Sequence, residues 1–243
     1  GADVITTNTY ASKPISMKKY GYKNLIEECN LKSVKIAKDA ASGKNIAVAG
    51  SVSTYGYFLK DGLENMLPSF NEHLKILSNS GVDLIILEAM SSQSEIVEAL
   101  LKCSKNINLP IWLSISCVFD KNKEIYLGYD DDVKNDKPQI YENFKESLYK
   151  FKKIHTGPIL VAHSNMSVTD EAIKILKDNY NQIIGAYPNR GYFQKPKWKF
   201  IDNIQPKDYL DKAKSWKNNG AQIIGGCCGI GVEEIKAISI LKN

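Results

Sequence analysis

The 243-residue sequence predicts a (β/α)8 barrel. Short β-rich runs alternate with longer segments of helical period, which is typical of βα units around a parallel sheet. The short runs are almost continuously apolar, as strands buried on both faces of a sheet are. An open doubly wound sheet is the alternative fold, but no glycine-rich phosphate-binding loop follows any of the runs.

Seven runs predict the strands in chain order. They cover residues 2–9, 45–53, 82–90, 110–117, 158–165, 182–188 and 222–228. A closed barrel of this class has eight strands, and the sequence opens directly on one of them. The barrel interpretation therefore implies that the first strand is missing from this chain, and we expect a single domain over residues 1–243.

Helices are predicted between the strands. The segments of helical period cover residues 24–42, 67–81, 92–106, 169–179 and 206–220. Several of them begin near an Asp or Ser that can cap the free amide groups of the first turn, and end at Gly or Asn. Alternation of these helices with the seven runs favours the barrel.

Composition excludes several classes of protein. No apolar run is long enough for a membrane helix, and the first ten residues lack the pattern of a secretory signal. The net charge of +5 comes from scattered lysines with acidic residues between them, so a nucleic-acid partner is not expected. Five cysteines without framework spacing indicate a reducing compartment, the cytoplasm.

Two adjacent cysteines, Cys227 and Cys228, stand between glycine pairs in "IIGGCCGIG", where the last predicted strand ends. Soft thiolates select zinc, and a catalytic zinc commonly has three protein ligands and one open position. Gly225, Gly226 and Gly229 would allow the unusual backbone angles that turn both sulfurs toward one ion. The alternative is that the pair packs under a turn as small apolar residues.

Several motifs occur in one order along nearly the whole chain: "GADVITTNTYAS", "GVDLIILEAM", "PIWLSIS", "AYPNRG" and "IIGGCCG". In this order they resemble the strand-end motifs of the homocysteine S-methyltransferase family, which are zinc-thiolate (β/α)8 barrels. The family's first strand, with its Asp-Gly-Gly motif, would precede Gly1. The resemblance implies one homocysteine-binding barrel domain over residues 1–243.

The resemblance also implies roles for single residues. Cys227 and Cys228 match the two paired zinc ligands of the family. Glu88 matches a strand-end glutamate that holds the amino group of homocysteine, and Asn8 and Asn189 match asparagines of the pocket.

The third zinc ligand is where this sequence departs from the family. The family has a cysteine at the end of the sixth barrel strand, and the equivalent segment here, "VAHSNMSV", has none. Two residues can replace it: Cys117 ends the preceding strand, and His163 ends the strand in question with an imidazole that can bind zinc. Both remain candidates. The other histidines, His73 and His155, are interpreted as surface or capping residues.

The function implied by the resemblance is zinc-dependent methyl transfer from a sulfonium or quaternary ammonium donor, such as S-methylmethionine, to the thiol of homocysteine. The product is methionine, which indicates a role in methionine biosynthesis. Zinc would convert the thiol to the nucleophilic thiolate. The alternative is a barrel that binds a thiol or a metal but no longer transfers methyl groups.

A cationic donor favours aromatic walls. The candidates for such a wall are Trp112, Tyr187, Tyr192, Phe193, Trp198 and Phe200. The small-molecule partners are thus homocysteine and a methyl donor, with neither nucleic acid nor a membrane expected.

Overall fold

The computed structural model describes residues 1–54, 56–57, 59–129, 139–194, 197–199 and 204–242, with the backbone alone at 192–194 and 197–199. Two compact units are present. The first unit is Ala2–Leu113, and the second comprises Gly1 and Ser114–Asn243.

The first unit alternates strands and helices. Its elements are β1 (Val4–Thr6), α1 (Pro14–Lys19), α2 (Ile26–Ala41), β2 (Ala47–Ser53), α3 (Leu63–Asn79), β3 (Leu84–Met90), α4 (Ser94–Ser104) and β4 (Ile111–Ile115), with 3-10 turns at Lys23–Leu25 and Leu59–Asp61. The strands lie in the order β1-β2-β3-β4, and β4 continues past Leu113 into the second unit. The pairs β1/β2 and β2/β3 are parallel, with Val4 opposite Ala47 and Ala49 opposite Leu84.

The second unit contains the remaining elements. They are β5 (Cys117–Phe119), β6 (Ile125–Tyr129), β7 (Gln139–Asn143), α5 (Phe144–Phe151), β8 (Ile159–Ala162), α6 (Met166–Asn179), β9 (Ile184–Tyr187), β10 (Tyr192–Gln194), β11 (Lys197–Lys199), α7 (Pro206–Asn218), β12 (Ala221–Ile224) and α8 (Val232–Ile238), followed by a 3-10 turn at Ser239–Leu241. Here β4, β8, β9 and β12 lie side by side in that order. The pairs β8/β9 and β9/β12 are parallel.

Each of the two units has buried apolar residues between its strands and helices. In the first unit, Phe70 and Leu77 of α3 are fully buried, and four consecutive residues of β3, Leu84–Leu87, have no exposed face. In the second unit, Tyr209 and Trp216 of α7 pack edge to face, with ring centroids 5.7 Å apart. Burial on both faces explains why the runs of β2, β3 and β8 are almost continuously apolar.

The small antiparallel sheet β5-β6-β7 was not expected from the sequence. The turn between β5 and β6 depends on Asp120, whose carboxylate accepts hydrogen bonds from the backbone N–H groups of Asn122 and Glu124, at 2.9 and 2.8 Å. Short Asp side chains favour turns of this kind because they replace backbone partners. The sheet separates β4 from α5 along the chain.

The predicted fold class is confirmed. Each of the seven predicted runs overlaps one of the strands β1, β2, β3, β4, β8, β9 and β12, of which β12 begins one residue before its run, and helices stand between them as in a (β/α)8 barrel. Helix α6 begins three residues earlier than predicted, because the side chain of Asn165 caps it by accepting from the N–H of Val168 at 3.0 Å. None of the helices in the described residues has the length and apolar character needed to cross a bilayer.

Candidate metal centre and substrate residues

The paired cysteines lie in the segment after β12, and its backbone is bonded to the segment after β9. The N–H of Cys227 donates to the carbonyl of Pro188 at 2.9 Å. The carbonyl of Cys228 accepts from the N–H of Arg190 at 2.7 Å. Both residues of the pair are therefore held in place by main-chain bonds, independently of anything that their sulfurs bind.

The glycines around the pair have different roles. Gly229 has a φ of 80°, a left-handed conformation, as predicted. At Gly226 the constraint is space, since a Cβ atom there would lie 2.2 Å from Cγ2 of Ile230. Gly225 is fixed by its carbonyl, which accepts a hydrogen bond from the buried hydroxyl of Tyr209 in α7.

Three potential metal ligands meet after β8 and β12. The Sγ atoms of Cys227 and Cys228 are 3.9 Å apart, and one nitrogen of His163 joins them so that all three ligand atoms lie within 4.8 Å of one another. His163 follows β8 directly with a φ of 48°, and its carbonyl accepts from Oγ of Ser116 at 2.7 Å. A left-handed backbone is uncommon for a residue with a side chain.

Hydrogen bonding within this cluster changes the acidity of Cys227. The hydrogen bond with Cys228 and burial raise the pKa of the Cys227 thiol well above its ordinary value, while a hydrogen bond with His163 acts in the opposite direction. A thiol in this environment stays protonated at neutral pH unless a cation stabilises the thiolate.

Cys117, the other candidate for third ligand, lies in β5 and is 1% exposed. Its N–H donates to Oγ of Ser164 at 2.7 Å, and burial raises the pKa of its thiol. Among the residues that the structure describes, the cluster of potential ligands contains His163 and does not contain Cys117.

Asn189, predicted as a pocket residue, is 5% exposed. Its N–H donates to the carbonyl of Ser164 at 3.0 Å, and its Nδ2 donates to the carbonyl of Gly191 at 3.3 Å. The Oδ1 atom is buried and has no hydrogen-bond partner within the described part of the chain. A buried amide oxygen without a partner is unfavourable in a folded protein and is suited to accept a bond from a ligand.

Glu88, predicted to hold an amino group, lies near the carboxyl end of β3 in the first unit and is partly exposed. Oγ of Ser51 in β2 donates a hydrogen bond to Oε2 of Glu88. The bond fixes one carboxylate oxygen. Ala89, the next residue, has a φ of 50°, a left-handed conformation like that of His163.

The TTNT motif attaches β1 to β2. Thr7 and Thr9 are buried, and the N–H of Ser51 donates to their hydroxyls at 3.2 and 3.1 Å. Oγ of Thr9 in turn donates to the carbonyl of Ser51 at 2.7 Å. Asn8, the predicted pocket residue, stands between the two threonines and is exposed.

Three buried residues were not predicted from the sequence. Lys13 is only 3% exposed, and His73, expected as a surface or capping residue, is 1% exposed in α3. His155, for which the expectation was the same, is also buried, so the surface alternative was wrong for both histidines. The signal for His73 is its spacing in α3, because Phe70, Leu74 and Leu77 occupy the same buried face.

The predicted aromatic wall is only partly described. Trp112 packs against a core cluster of Ala49, Leu84 and Ile86, which is a structural role. The hydroxyl of Tyr187 donates to Oγ of Ser114. The side chains of Tyr192, Phe193, Trp198 and Phe200 lie outside the described residues.

The fold and the cluster define a βα-barrel protein with one imidazole after β8 and two thiols after β12, on either side of β9 in the same sheet. This donor set suits zinc. The chain has the fold of the metallated homocysteine methyltransferase MmuM from Escherichia coli, with a TM-score of 0.71 and 20% identity over 100% of this chain and 80% of that one.

Sequence comparisons identify the family. A family model described as homocysteine S-methyltransferase matches residues 1–241. Homocysteine S-methyltransferase 1 of Zea mays is 27% identical over 100% of this chain and 80% of its own length. Selenocysteine methyltransferase of Astragalus bisulcatus is 27% identical over 98% of this chain and 78% of its own length. The chain belongs to the homocysteine S-methyltransferase family, which confirms the predicted resemblance.

Proposed function

We propose that this chain is an enzyme that transfers a methyl group from a sulfonium or quaternary ammonium donor to the thiol of homocysteine and so forms methionine. The family model over residues 1–241 supports the reaction class. The observation that carries the proposal is the meeting of His163, Cys227 and Cys228, because thiol activation needs a metal site of this kind.

The three side chains fit a zinc ion. With Zn–S distances of about 2.3 Å and tetrahedral angles, two thiolates would lie roughly 3.8 Å apart. The two sulfurs are 3.9 Å apart. Two cysteines and one histidine are a known ligand set for catalytic zinc, which leaves a fourth position open. We therefore take His163 as the third ligand in preference to Cys117.

A free thiol with a pKa of about 8.5 is mostly protonated at neutral pH. Zinc, when bound, would lower the pKa of the substrate thiol, so that the thiolate is present at neutral pH. The protein itself would bind and orient the substrates. Glu88, held by Ser51, would accept hydrogen bonds from the ammonium group of homocysteine. The buried Oδ1 of Asn189 and the exposed side chain of Asn8 are further proposed substrate contacts.

We also propose that residues 1–243 act as one homocysteine-binding barrel domain. The cysteines of the metal cluster are in the thiol form, which suits a reducing compartment and supports a cytoplasmic enzyme of methionine biosynthesis. Its partners would be small molecules, homocysteine and a methyl donor.

The test combines metal analysis with product analysis. The purified chain is expected to contain about one zinc ion, by the stoichiometry of a single catalytic site. It is expected to form methionine from homocysteine with S-methylmethionine or betaine, detected by mass spectrometry. Because one relative is named for selenocysteine, that acceptor belongs in the same assay.

Variants connect the two measurements. Cys227→Ser and Cys228→Ser should lose both zinc and methyl transfer, whereas Cys29→Ser in α2 should keep both. Zinc binding without methionine formation would favour the alternative of a non-catalytic metal-binding barrel. Full methyl transfer by either variant of the pair would contradict the proposal.

A further inference from the structure

The first unit contains a buried cation close to the carboxyl end of β2. Lys13 precedes α1, and its Nζ lies 3.3 Å from Oγ of Ser53, the last residue of β2. The rings of Tyr10 and Tyr57 lie 5.7 and 5.4 Å from the same Nζ. Burial lowers the pKa of Lys13 to about 7. Buried ammonium groups are unfavourable and uncommon, so their positions usually have a reason.

Lys13 and Glu88 reach the same face of β2 through two serines. Ser51 and Ser53 are two residues apart in the strand, so their side chains point to the same side. Oγ of Ser51 donates to the carboxylate of Glu88, and Oγ of Ser53 accepts from the ammonium group of Lys13. In the sheet, Ser53 is also the register partner of Glu88. One carboxylate and one ammonium group therefore stand at neighbouring positions at the end of β2.

This pair of charges complements an α-amino acid. An amino acid has its ammonium and carboxylate groups on a single carbon, so a protein that binds it needs an acceptor and a donor of opposite charge a short distance apart. The rings of Tyr10 and Tyr57 favour a cation at this place and limit the access of water to it. A carboxylate ligand would in turn stabilise the charged form of the lysine.

We propose that Lys13, held by Ser53, binds the α-carboxylate of the amino acid whose ammonium group lies against Glu88. The inference rests on the proposed function for the role of Glu88. It makes Lys13 a specificity residue that selects amino acids over the corresponding amines.

The experiment compares two ligands that differ only in the carboxylate: the product methionine and 3-(methylthio)propylamine. Binding is measured by calorimetry without a methyl donor. The wild-type chain should bind methionine roughly ten- to a hundredfold more tightly, as expected for a hydrogen bond to a charged group. In Lys13→Met the affinity for methionine should fall to that for the amine, and the affinity for the amine should stay unchanged.

Lys19→Met is the matched control, because Lys19 is an exposed lysine of α1. It should keep the preference for methionine, and Lys13→Arg should restore part of it. If circular dichroism shows that Lys13→Met does not fold, Ser53→Ala is measured instead. Its preference for methionine over the amine should be several-fold smaller than that of the wild-type chain. Equal weakening of both ligands would show a purely structural role, and an unchanged preference would also overturn the inference.

The outcome is separable from that of the proposed function. A chain that forms no methionine but loses its preference for the carboxylate in Lys13→Met supports the inference alone. A chain that forms methionine and keeps its full preference in Lys13→Met overturns the inference alone.

Discussion

The hydroxyl of Tyr209 in α7 donates a hydrogen bond to the carbonyl oxygen of Gly225, two residues before Cys227. Tyr209 is fully buried, and Gly225 is bonded on its other side, where its N–H donates to the carbonyl of Ala186 at 2.9 Å. The position of the cysteine pair therefore depends on a side chain that is not itself a potential metal ligand.

Removal of this hydroxyl should loosen the metal centre. In Tyr209→Phe a buried carbonyl loses its partner, so the free energy of unfolding should fall by about 1–3 kcal/mol in urea titrations. Zinc affinity should fall about tenfold, as for other residues that orient metal ligands. Tyr149→Phe is the control, because Tyr149 is exposed. Unchanged zinc affinity in Tyr209→Phe would show that the main-chain bonds suffice.

The identity of the third ligand can be decided by substitution. His163→Ala should weaken zinc binding at least about tenfold in competition with a chromophoric chelator, since a catalytic zinc needs three protein ligands. Cys117→Ala should retain the metal, because Cys117 lies outside the ligand cluster of the described residues. Cys103→Ala is the control for loss of a buried thiol. The reverse result, with loss of zinc in Cys117→Ala alone, would make Cys117 the ligand.

Glu88 should govern the affinity for homocysteine. Glu88→Gln removes a charged acceptor, so KM for homocysteine should rise about ten- to a hundredfold while zinc content stays the same. Ser51→Ala, which only releases the carboxylate, should raise KM several-fold. Glu98→Gln on α4 provides a control for loss of a carboxylate elsewhere. In Glu88→Gln, a fall in kcat with an unchanged KM for homocysteine would contradict a role in binding the ammonium group.

His73 should make the protein sensitive to acid. Burial and, to a smaller extent, the charge of Lys13 lower the pKa of His73 to about 3, whereas it is about 6.5 in an unfolded chain. Below pH 6.5 the unfolded chain binds a proton that the folded chain does not. The free energy of unfolding should therefore decrease as the pH falls from 6.5 toward 3, with a contribution from His73 of about 2 kcal/mol by pH 5.

Urea titrations at pH 7.5 and pH 5 test this contribution. His73→Gln keeps a polar group beside Asn30, whose Oδ1 lies 3.0 Å from Nε2 of His73. Carboxylates elsewhere contribute equally to both proteins. Between pH 7.5 and pH 5, the free energy of unfolding of the variant should therefore decrease by about 2 kcal/mol less than that of the wild-type chain. Equal losses would mean that His73 is protonated in the folded state.

Strands such as β2, β3 and β8 could be predicted because both of their faces are covered, which leaves an almost continuous apolar run in the sequence, whereas β1 and β12 are only partly buried. The runs overestimate strand length, as at β1, where Thr7 and Thr9 are buried for their bonds to Ser51 and lie beyond the strand. The sheet β5-β6-β7 was missed although "CVFDKNKEIYLGY" carries a hairpin signal, an Asp-initiated turn between two β-rich runs.

The metal ligands could be predicted only in part. Cys227 and Cys228 are adjacent, so their proximity is set by the covalent chain. The choice between Cys117 and His163 depends on where each side chain points. His163 follows β8 with a left-handed backbone, whereas Cys117 is the first residue of β5, a strand that the sequence did not predict. Lys13 was missed for a similar reason, since its burial depends on Tyr57, which is distant in sequence.

Ala89 and His163 share a left-handed backbone conformation directly after or near the end of a strand, which costs a residue with a side chain roughly 1–2 kcal/mol. These backbone angles set the direction of the chain directly after Glu88 and at His163, next to the two predicted substrate and metal side chains. If the side chains of Glu88 and His163 were placed at the regular strand ends of a designed barrel, the same chemical groups would be present but they would point in other directions.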